Sequence, residues 1–395
     1  MAVKPASPRI NISEIDKTAI VPAVGSSGGG FVGNFRWGPV HERTLISDET
    51  GLVTTFASPN DTNSVDFHSA AYFLKYSQTL QVAREVGTLA QNAHSATTTL
   101  ADSAGGTQLL VNNLAHWEAT VSSAVGEGAS KLSSGTWIAK YPGVLGDALS
   151  VSFCPAPDSA GAEHFTGWAY ASNFDGKPGT SSYASTNGAS NDEVHLVGLD
   201  RTGAITGTPG AVLEKFAYLS VAKGALTPDN SPNYIADVVN SNSQYIWTGY
   251  FGDDSAFGGS ALNLDSAAGW GTTPTLDTAQ NYGLGVALTD AVMTTNLGGG
   301  HDGATLGNSD FLAGYDLFED KLTTEIDFLI APAYGTASNG ATIVNDLTSI
   351  ATDRKDCIVV ASVDKSGVVG KTNSQQSANA VTFVDGLTKS SYLVV

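Results

Sequence analysis

Several things are scarce in this chain. Cysteine occurs twice in 395 residues, as Cys154 and Cys357. Two so widely separated thiols make neither a disulfide framework nor a metal knuckle of paired, closely spaced ligands. Charge is sparse: Asp, Glu, Lys and Arg are 14% of residues, against about 25% in an average globular chain. Positive charge is scarcest, with 19 Lys and Arg against 38 Asp and Glu, a formal net charge of −19. That deficit argues against non-specific nucleic-acid binding, which draws on Lys and Arg to displace counterions, and it disfavours an anionic membrane surface. No apolar run approaches the ~18 residues that span a bilayer. No long apolar stretch follows Met1-Ala2-Val3-Lys4-Pro5, so no secretory signal is visible, and the chain reads as soluble and made in a reducing cytoplasm.

What is present is apolar content and glycine. Residues of the AVILMFWYC set reach 42% and glycine 44 residues, enough for a sizeable core with many turns and for two or three domains of ~100–200 residues. In Pro8-Arg9-Ile10-Asn11-Ile12-Ser13 isoleucines alternate with polar residues, the period of a half-buried strand. A lone terminal strand needs a partner for its backbone, and that partner can be another chain. Gly25-Ser26-Ser27-Gly28-Gly29-Gly30 reads as a flexible turn.

Phe67, Ala70, Ala71 and Leu74 follow a helical stripe within 64–78, and Leu80 to Val86 alternates as a strand. Lys140 to Asp147 is a turn leading into a strand from Ala148 to Phe153. Residues 173–192 form a long polar stretch, expected to be a functional or mobile loop. Strands are expected at Glu193 to Leu199 and Tyr245 to Tyr250. Helices and apolar strands then alternate: Ser309 to Asp320 with Phe311, Tyr315 and Phe318 on one stripe, Ile326 to Ile330, a helix carrying Ile343, Leu347 and Ile350, and Cys357 to Ala361. That alternation predicts an α/β core, a mostly parallel sheet with helices on both faces, interrupted by β-rich material.

Motifs that resemble chemistry fail on context. Gly25-Ser26-Ser27-Gly28-Gly29 fits G-x-S-x-G, but a nucleophile elbow needs a strand before the serine and a helix after it. Gly298 to Gly303 fits G-x-G-x-x-G, yet the next helix starts only near Ser309 and Asp327 opens its strand instead of ending it. Lys365 to Thr372 ends in Gly-Lys-Thr; Lys365 replaces the first glycine of a phosphate loop, and no helix start is evident at Asn373, so a nucleotide-binding α/β enzyme using Lys371 and Thr372 is a distant alternative. His41, His68, His94, His116, His164, His195 and His301 never fall at i, i+4. The expectation is no catalytic residue, no cofactor and no metal ligand.

Several segments in order suggest a family. Pro8 to Asp16, Gly33-Asn34-Phe35-Arg36-Trp37-Gly38-Pro39, Leu52 to Phe56 and the Tyr72 to Tyr76 segment are followed by Lys140-Tyr141-Pro142-Gly143-Val144-Leu145-Gly146-Asp147, Leu297 to Gly303 and Arg354 to Val360. Together they resemble the contractile tail sheath proteins of myovirus-type bacteriophages, with a Tyr-Pro-Gly-x-x-Gly-Asp turn and a Gly-Gly-x-Asp-Gly loop.

The resemblance implies a structural subunit, not an enzyme, on a subtilisin-like sheath core. It implies helical polymerisation with itself around a tail tube protein, contact with baseplate and tail terminator proteins, and contraction that drives the tube through the host envelope. Nucleic-acid contact and membrane insertion are not implied. The place is the virion tail, with assembly in the host cytoplasm. A sheath of a related secretion system or bacteriocin is the alternative. The implied division is an N-terminal arm at 1–20, a core at 21–90 and 285–395, a short insert at 91–150 and a β-rich insert at 151–284. Ile10, Ile12, Glu14 and Ile15 would form the inter-subunit arm, with a hinge at Gly25, Gly28, Gly29 and Gly30. Family members usually continue into a further α/β segment and a C-terminal arm, so the resemblance implies a chain lacking that part and polymerising weakly without it.

Overall fold

The computed structural model describes residues 27–95, 109–121, 137–156, 164–186, 191–222, 224–248, 292–332, 334 and 337–395. The strands, in chain order, are β1 (Gly29–Gly33), β2 (Arg43–Ile46), β3 (Leu80–Arg84), β4 (Ala90–Gln91), β5 (Trp137–Ala139), β6 (Leu149–Pro155), β7 (Glu193–Asp200), β8 (Ala211–Ser220), β9 (Ile246–Thr248), β10 (Met293–Asn296), β11 (His301–Asp302), β12 (Phe328–Ala331), β13 (Ile358–Ala361) and β14 (Leu393–Val394). The longer helices are α1 (Glu49–Phe56), α2 (Ser64–Leu74), α3 (Ile235–Asn242), α4 (Asn308–Asp316), α5 (Ala337–Arg354) and α6 (Asn373–Asp385).

Six strands form one sheet in the order β14-β13-β12-β1-β3-β2. All pairs are parallel except β2 with β3 at one edge. Its strands come from both ends of the described chain, and the central neighbours β1 and β12 are almost 300 residues apart, as in the pairing Gly29 with Phe328. Alternation along β1 sends Phe31 to one face and Val32 to the other. Phe31 joins Leu52, Phe56, Phe67, Ala70, Ala71 and Leu74 of α1 and α2. Val32 joins Phe311 and Tyr315 of α4, Ile343, Leu347 and Ile350 of α5 and Phe383 of α6. Helices therefore cover both faces, which is why β12 and β13 read as apolar runs.

The expected helical stripe of α2 is the buried one. Asp48 caps α1 by accepting the Gly51 amide at 2.7 Å. Helix α4 ends at Asp316, earlier than the stripe through Phe318 suggested, but the following turn still buries Phe318 fully.

A second sheet, antiparallel in the order β10-β6-β7-β8, is drawn from chain lying between the two halves of the first. One face, through Val151, Phe153, Val194 and Leu196, packs with Ile235, Ala236 and Val239 of α3. The opposite face, through Cys154, Val197 and Leu199, lies under Phe165, Trp168, Tyr170 and Phe174.

Two local expectations change. Residues 25–30 are not one flexible turn: Gly29 and Gly30 open β1, fully buried and paired on both sides. Glycine is needed there for close packing, because a Cβ on Gly29 would lie 2.7 Å from the Phe73 ring and one on Gly30 3.0 Å from Phe318. The polar stretch 173–192 is fastened rather than loose in its described part. The buried Asp192 accepts the Ser181 amide at 2.8 Å and the Ser181 hydroxyl at 2.6 Å, and Gly179 and Glu193 bond to each other through backbone and carboxylate.

A candidate site at the junction of the two sheets

Three of the segments singled out in the sequence meet at one place: the Gly33–Pro39 loop, the Lys140–Asp147 turn and the Leu297–Gly303 loop. Arg84, the last residue of β3, sits at the centre with 1% of its surface exposed. Its guanidinium donates from Nε to the Phe35 carbonyl at 2.8 Å, from Nη1 to Gly38 at 2.8 Å and from Nη2 to Pro142 at 2.7 Å. The planar fork suits three acceptors fanned around one side chain. Burial pulls its pKa down to about 10, with Asp302 and Glu85 opposing the shift through space, so it stays a cation at neutral pH.

The two glycine-rich turns then clasp each other. Asp302 Oδ1 accepts the Val144 amide at 2.8 Å, and Asp147 Oδ1 accepts the Gly300 amide at 2.8 Å. Each acid caps the other turn's backbone, a charge-assisted bond in both directions. The glycines are dictated by closeness. Gly143 has φ +132°, and a Cβ there would lie 2.8 Å from Asp302 Oδ1; a Cβ on Gly300 would lie 2.4 Å from the Gly143 carbonyl oxygen. Burial raises the Asp147 pKa, with the Gly300 amide pulling it back. The Gly143 amide bonds the Gln91 carbonyl at 3.0 Å, and His94 exchanges two backbone bonds with Gly298.

Aromatic packing completes the joint. Trp37, on the loop leaving β1, is buried in the core of the antiparallel sheet, with Tyr141 edge-on at 5.4 Å and Tyr245 stacked at 6.4 Å. Beside it, His41 Nδ1 and Glu85 Oε1 are 3.0 Å apart; burial raises the Glu85 pKa and His41 opposes that. The Arg354 to Val360 segment lies elsewhere. Arg354 forms a bidentate pair with Asp356 at 3.0 Å and donates to the Phe318 and Thr324 carbonyls, tying the end of α5 beneath the parallel sheet.

The remaining candidates are placed as follows. Ile10, Ile12, Glu14, Ile15 and Gly25 lie outside the described residues. Gly28 donates its amide to Asp327 Oδ2 at 2.8 Å and accepts the Phe328 amide at 3.0 Å, and Gly29 and Gly30 are in β1. Gly-Lys-Thr is followed by a helix after all: α6 begins at Asn373, and Thr372 caps it by accepting the Gln375 amide. The hydroxyl a phosphate loop would offer to a metal is thus already committed to its own helix, and Lys371 precedes that helix. Cys154 and Cys357 are buried and are not joined in a disulfide. Among the described residues no three His, Cys, Asp or Glu side chains group to hold a metal ion, and no helix is long and apolar enough to cross a membrane.

Sequence reasoning did not single out Arg84, the role of Trp37 or the Asp302–Asp147 reciprocity. A signal for Arg84 existed: a lone cation ending a strand of Leu, Val and Ala with no acid nearby in sequence except Glu85.

No protein-family model matches the chain. Three curated relatives do, each called tail sheath protein. The one from Salmonella phage ViI is 36% identical over 185 residues, 47% of this chain and 24% of that protein. The one from Vibrio phage KVP40 is 38% identical over 88 residues, and that of Enterobacteria phage T4 33% over 82 residues. These matches span 22% and 20% of this chain, and 13% and 12% of the relatives. Solved sheath tail proteins from Listeria innocua and Desulfitobacterium hafniense align at 11% and 15% identity with TM-scores of 0.43 and 0.40, a weak overall likeness. Those alignments cover 92% and 96% of this chain, and 57% and 62% of theirs. The chain spans no more than about a quarter of the length of the curated proteins it matches, and over those stretches it is similar to bacteriophage tail sheath proteins.

Proposed function

We propose that the chain is a structural subunit of a phage contractile tail sheath, polymerising around a tail tube and contracting to drive it through the host envelope. The observation that carries this is the 36% identity over 185 residues to a phage tail sheath protein. The junction supports it. The buried Arg84 and Trp37 fasten one sheet to the other, as befits a subunit that must transmit load.

In this reading the core, subtilisin-like in its sheath-family form, comprises 21–90 and 285–395, with inserts at 91–150 and 151–284 and an arm at 1–20, although β10 at the start of the second core stretch pairs into the antiparallel sheet. The arm, through Ile10, Ile12, Glu14 and Ile15, completes its pairing on a neighbouring subunit by strand addition. Within the described residues the six-stranded sheet ends in β2 and β14, each with one partner, and open edges of that kind accept strands. The pivot belongs before Gly28 and includes Gly25, because motion at Gly29 or Gly30 would tear the central strand. The partners are further copies of the chain, the tube, and the baseplate and terminator proteins. The place is the virion, with assembly in the host cytoplasm.

Electron microscopy of tubes tests the reading. A variant lacking residues 1–20 should stay folded and fail to enter tubes formed with complete sheath subunits. Tubes of normal length and yield from that variant would remove the arm from the mechanism.

A further inference from the structure

One histidine is built into the outer face of the antiparallel sheet in a way that permits only one protonation state. His195 lies on β7, fully buried, opposite Cys154 of β6. Over it runs a strap formed by residues 164–180. Phe174 stacks on the imidazole at 4.3 Å with 3° between planes, Phe165 meets it edge-on at 5.7 Å and Trp168 lies at 6.5 Å. Trp168 is itself anchored to the sheet, its indole N–H donating to Ser152 Oγ at 2.9 Å.

The ring nitrogens decide the chemistry. The Tyr218 amide of β8 donates to His195 Nδ1 at 3.0 Å. An amide N–H can only donate, so Nδ1 carries no proton. The proton is therefore on Nε2, which donates to the Gly176 carbonyl of the strap at 2.8 Å. Tyr218 has φ +55° and lies where the β7–β8 register shifts between Val194 and Leu196. An extra residue at such a bulge leaves an amide without a ladder partner, and here the imidazole supplies one. The neutral ring thus joins the bulge on one side to the strap on the other.

Protonation would set a second N–H against the Tyr218 amide and place a cation among aromatic rings. Among the described residues no carboxylate is bonded to the ring. β6 presents Cys154, and β8 presents Tyr218 and Lys215. Lys215 is a cation 5.8 Å over the Phe174 ring, donating to the Asn173 carbonyl. From the strap come His164, Tyr170 and the exposed Asp175 and Lys177, and from β7 itself Glu193, whose carboxylate already holds the Gly179 amide. We propose that His195 is an acid-sensitive pin whose protonation releases the 164–180 strap from the antiparallel sheet while the two cores stay folded.

Burial also lowers the His195 pKa below its ordinary 6.5, the bond to Gly176 opposing this in part. The released strap then binds the proton more readily than the closed one. Closure is complete above about pH 6.5 and is lost as pH falls from there through the lowered value.

Hydrogen exchange of the full chain, read peptide by peptide and corrected for intrinsic rates, tests this. Between about pH 7.5 and pH 5.5, peptides covering 164–180 should lose protection severalfold, up to ~10-fold, while those of α5 do not change. In His195→Phe, which keeps the stack but cannot titrate, that pH dependence should vanish; in His164→Gln it should persist. A flat wild-type profile, a His195→Phe variant that still responds, or a His164→Gln variant that does not, each overturns the proposal. Should His195→Phe fail to fold, nitrogen-15 NMR of the wild type decides. A proton on Nε2 and a midpoint below about 6.5 that coincides with strap opening support the pin; a proton on Nδ1, or two separate midpoints, refute it.

Discussion

Replacing Arg84 by methionine should damage the protein far more than an ordinary charge removal. The side chain lies within the junction and gives three hydrogen bonds to carbonyls of Phe35, Gly38 and Pro142. Bonds from a charged donor are worth about 1.5–3 kcal/mol each, so the three sum to roughly 4–9 kcal/mol before any relief. Removing a buried guanidinium returns several kcal/mol of desolvation. The expected net loss is about 3–5 kcal/mol, against a typical total of ~5–15. At ~2–4 °C per kcal/mol for a domain of this size, the unfolding midpoint should fall by on the order of 10 °C.

The readouts are urea unfolding and thermal melting, each followed by two probes. Far-ultraviolet circular dichroism weights the helices around the parallel sheet, and tryptophan fluorescence gives more weight to the antiparallel sheet, where Trp37, Trp137 and Trp168 are buried. Because Arg84 spans from β3 to the Tyr141–Gly146 turn, Arg84→Met should make the two probes diverge, marking loss of two-state behaviour. Arg84→Lys should fall between, since one ammonium cannot serve three acceptors set by a planar fork. A loss below ~1 kcal/mol with coincident probes would refute the idea that this residue joins the sheets.

Other outcomes follow from the same geometry. Asp302→Ala and Asp147→Ala each remove one charge-assisted cap, and each should cost about 1–2 kcal/mol in urea unfolding. The double variant should cost less than their sum, because the clasp opens as a unit. Gly143→Ala should destabilise by ~2 kcal/mol or more, through its positive φ and the clash with Asp302. Asp364 is 1% exposed, and neither carboxylate oxygen has a hydrogen-bond partner; burial lifts its pKa to about 6. A raised carboxylate pKa means the folded state holds its proton more tightly. Its contribution is therefore present below about pH 3.8 and is lost as pH rises through about 6. Asp364→Asn should accordingly gain up to ~3 kcal/mol at pH 7.5 and nothing at pH 4, measured by urea titrations at both values.

The parallel sheet was legible because its signals are local. Phe67, Ala70, Ala71 and Leu74 repeat at helical spacing, and Ile358 to Ala361 is an uninterrupted apolar run; each states its own element. Pairing was not legible in the same way. That Gly29 lies beside Phe328 depends on contacts across almost the whole chain, and no periodicity encodes register at that distance. Glycine was the least transparent residue. In 25–30 it reads as freedom, yet Gly29 and Gly30 are held in a wholly buried strand because Phe73 and Phe318 leave no room for a Cβ. Thr372 misled in the opposite sense. Its Gln375 partner forms a capping box, a helix start visible in the sequence once the polar run after it is not taken as loop.

The site follows the same division. Each glycine turn is recognisable alone as a motif, but the reason for its acid appears only when the two are brought together. Asp147 has no work to do within its own turn; its carboxylate is set for the Gly300 amide, 153 residues away. Asp302 answers with the Val144 amide. Both bonds join turns at the ends of β6 and β10, neighbouring strands of one sheet, while Arg84 and Trp37 reach across from the parallel sheet, so separating the sheets would break the Arg84 and Trp37 contacts together. Bonds broken together resist far better than bonds broken in turn, and a cooperative joint of that kind moves as one body or not at all. On the proposed function as a sheath subunit, motion on contraction would be confined to the links between subunits, and the junction built by Arg84, Asp147, Asp302 and Trp37 would keep its distances in the extended and contracted forms alike.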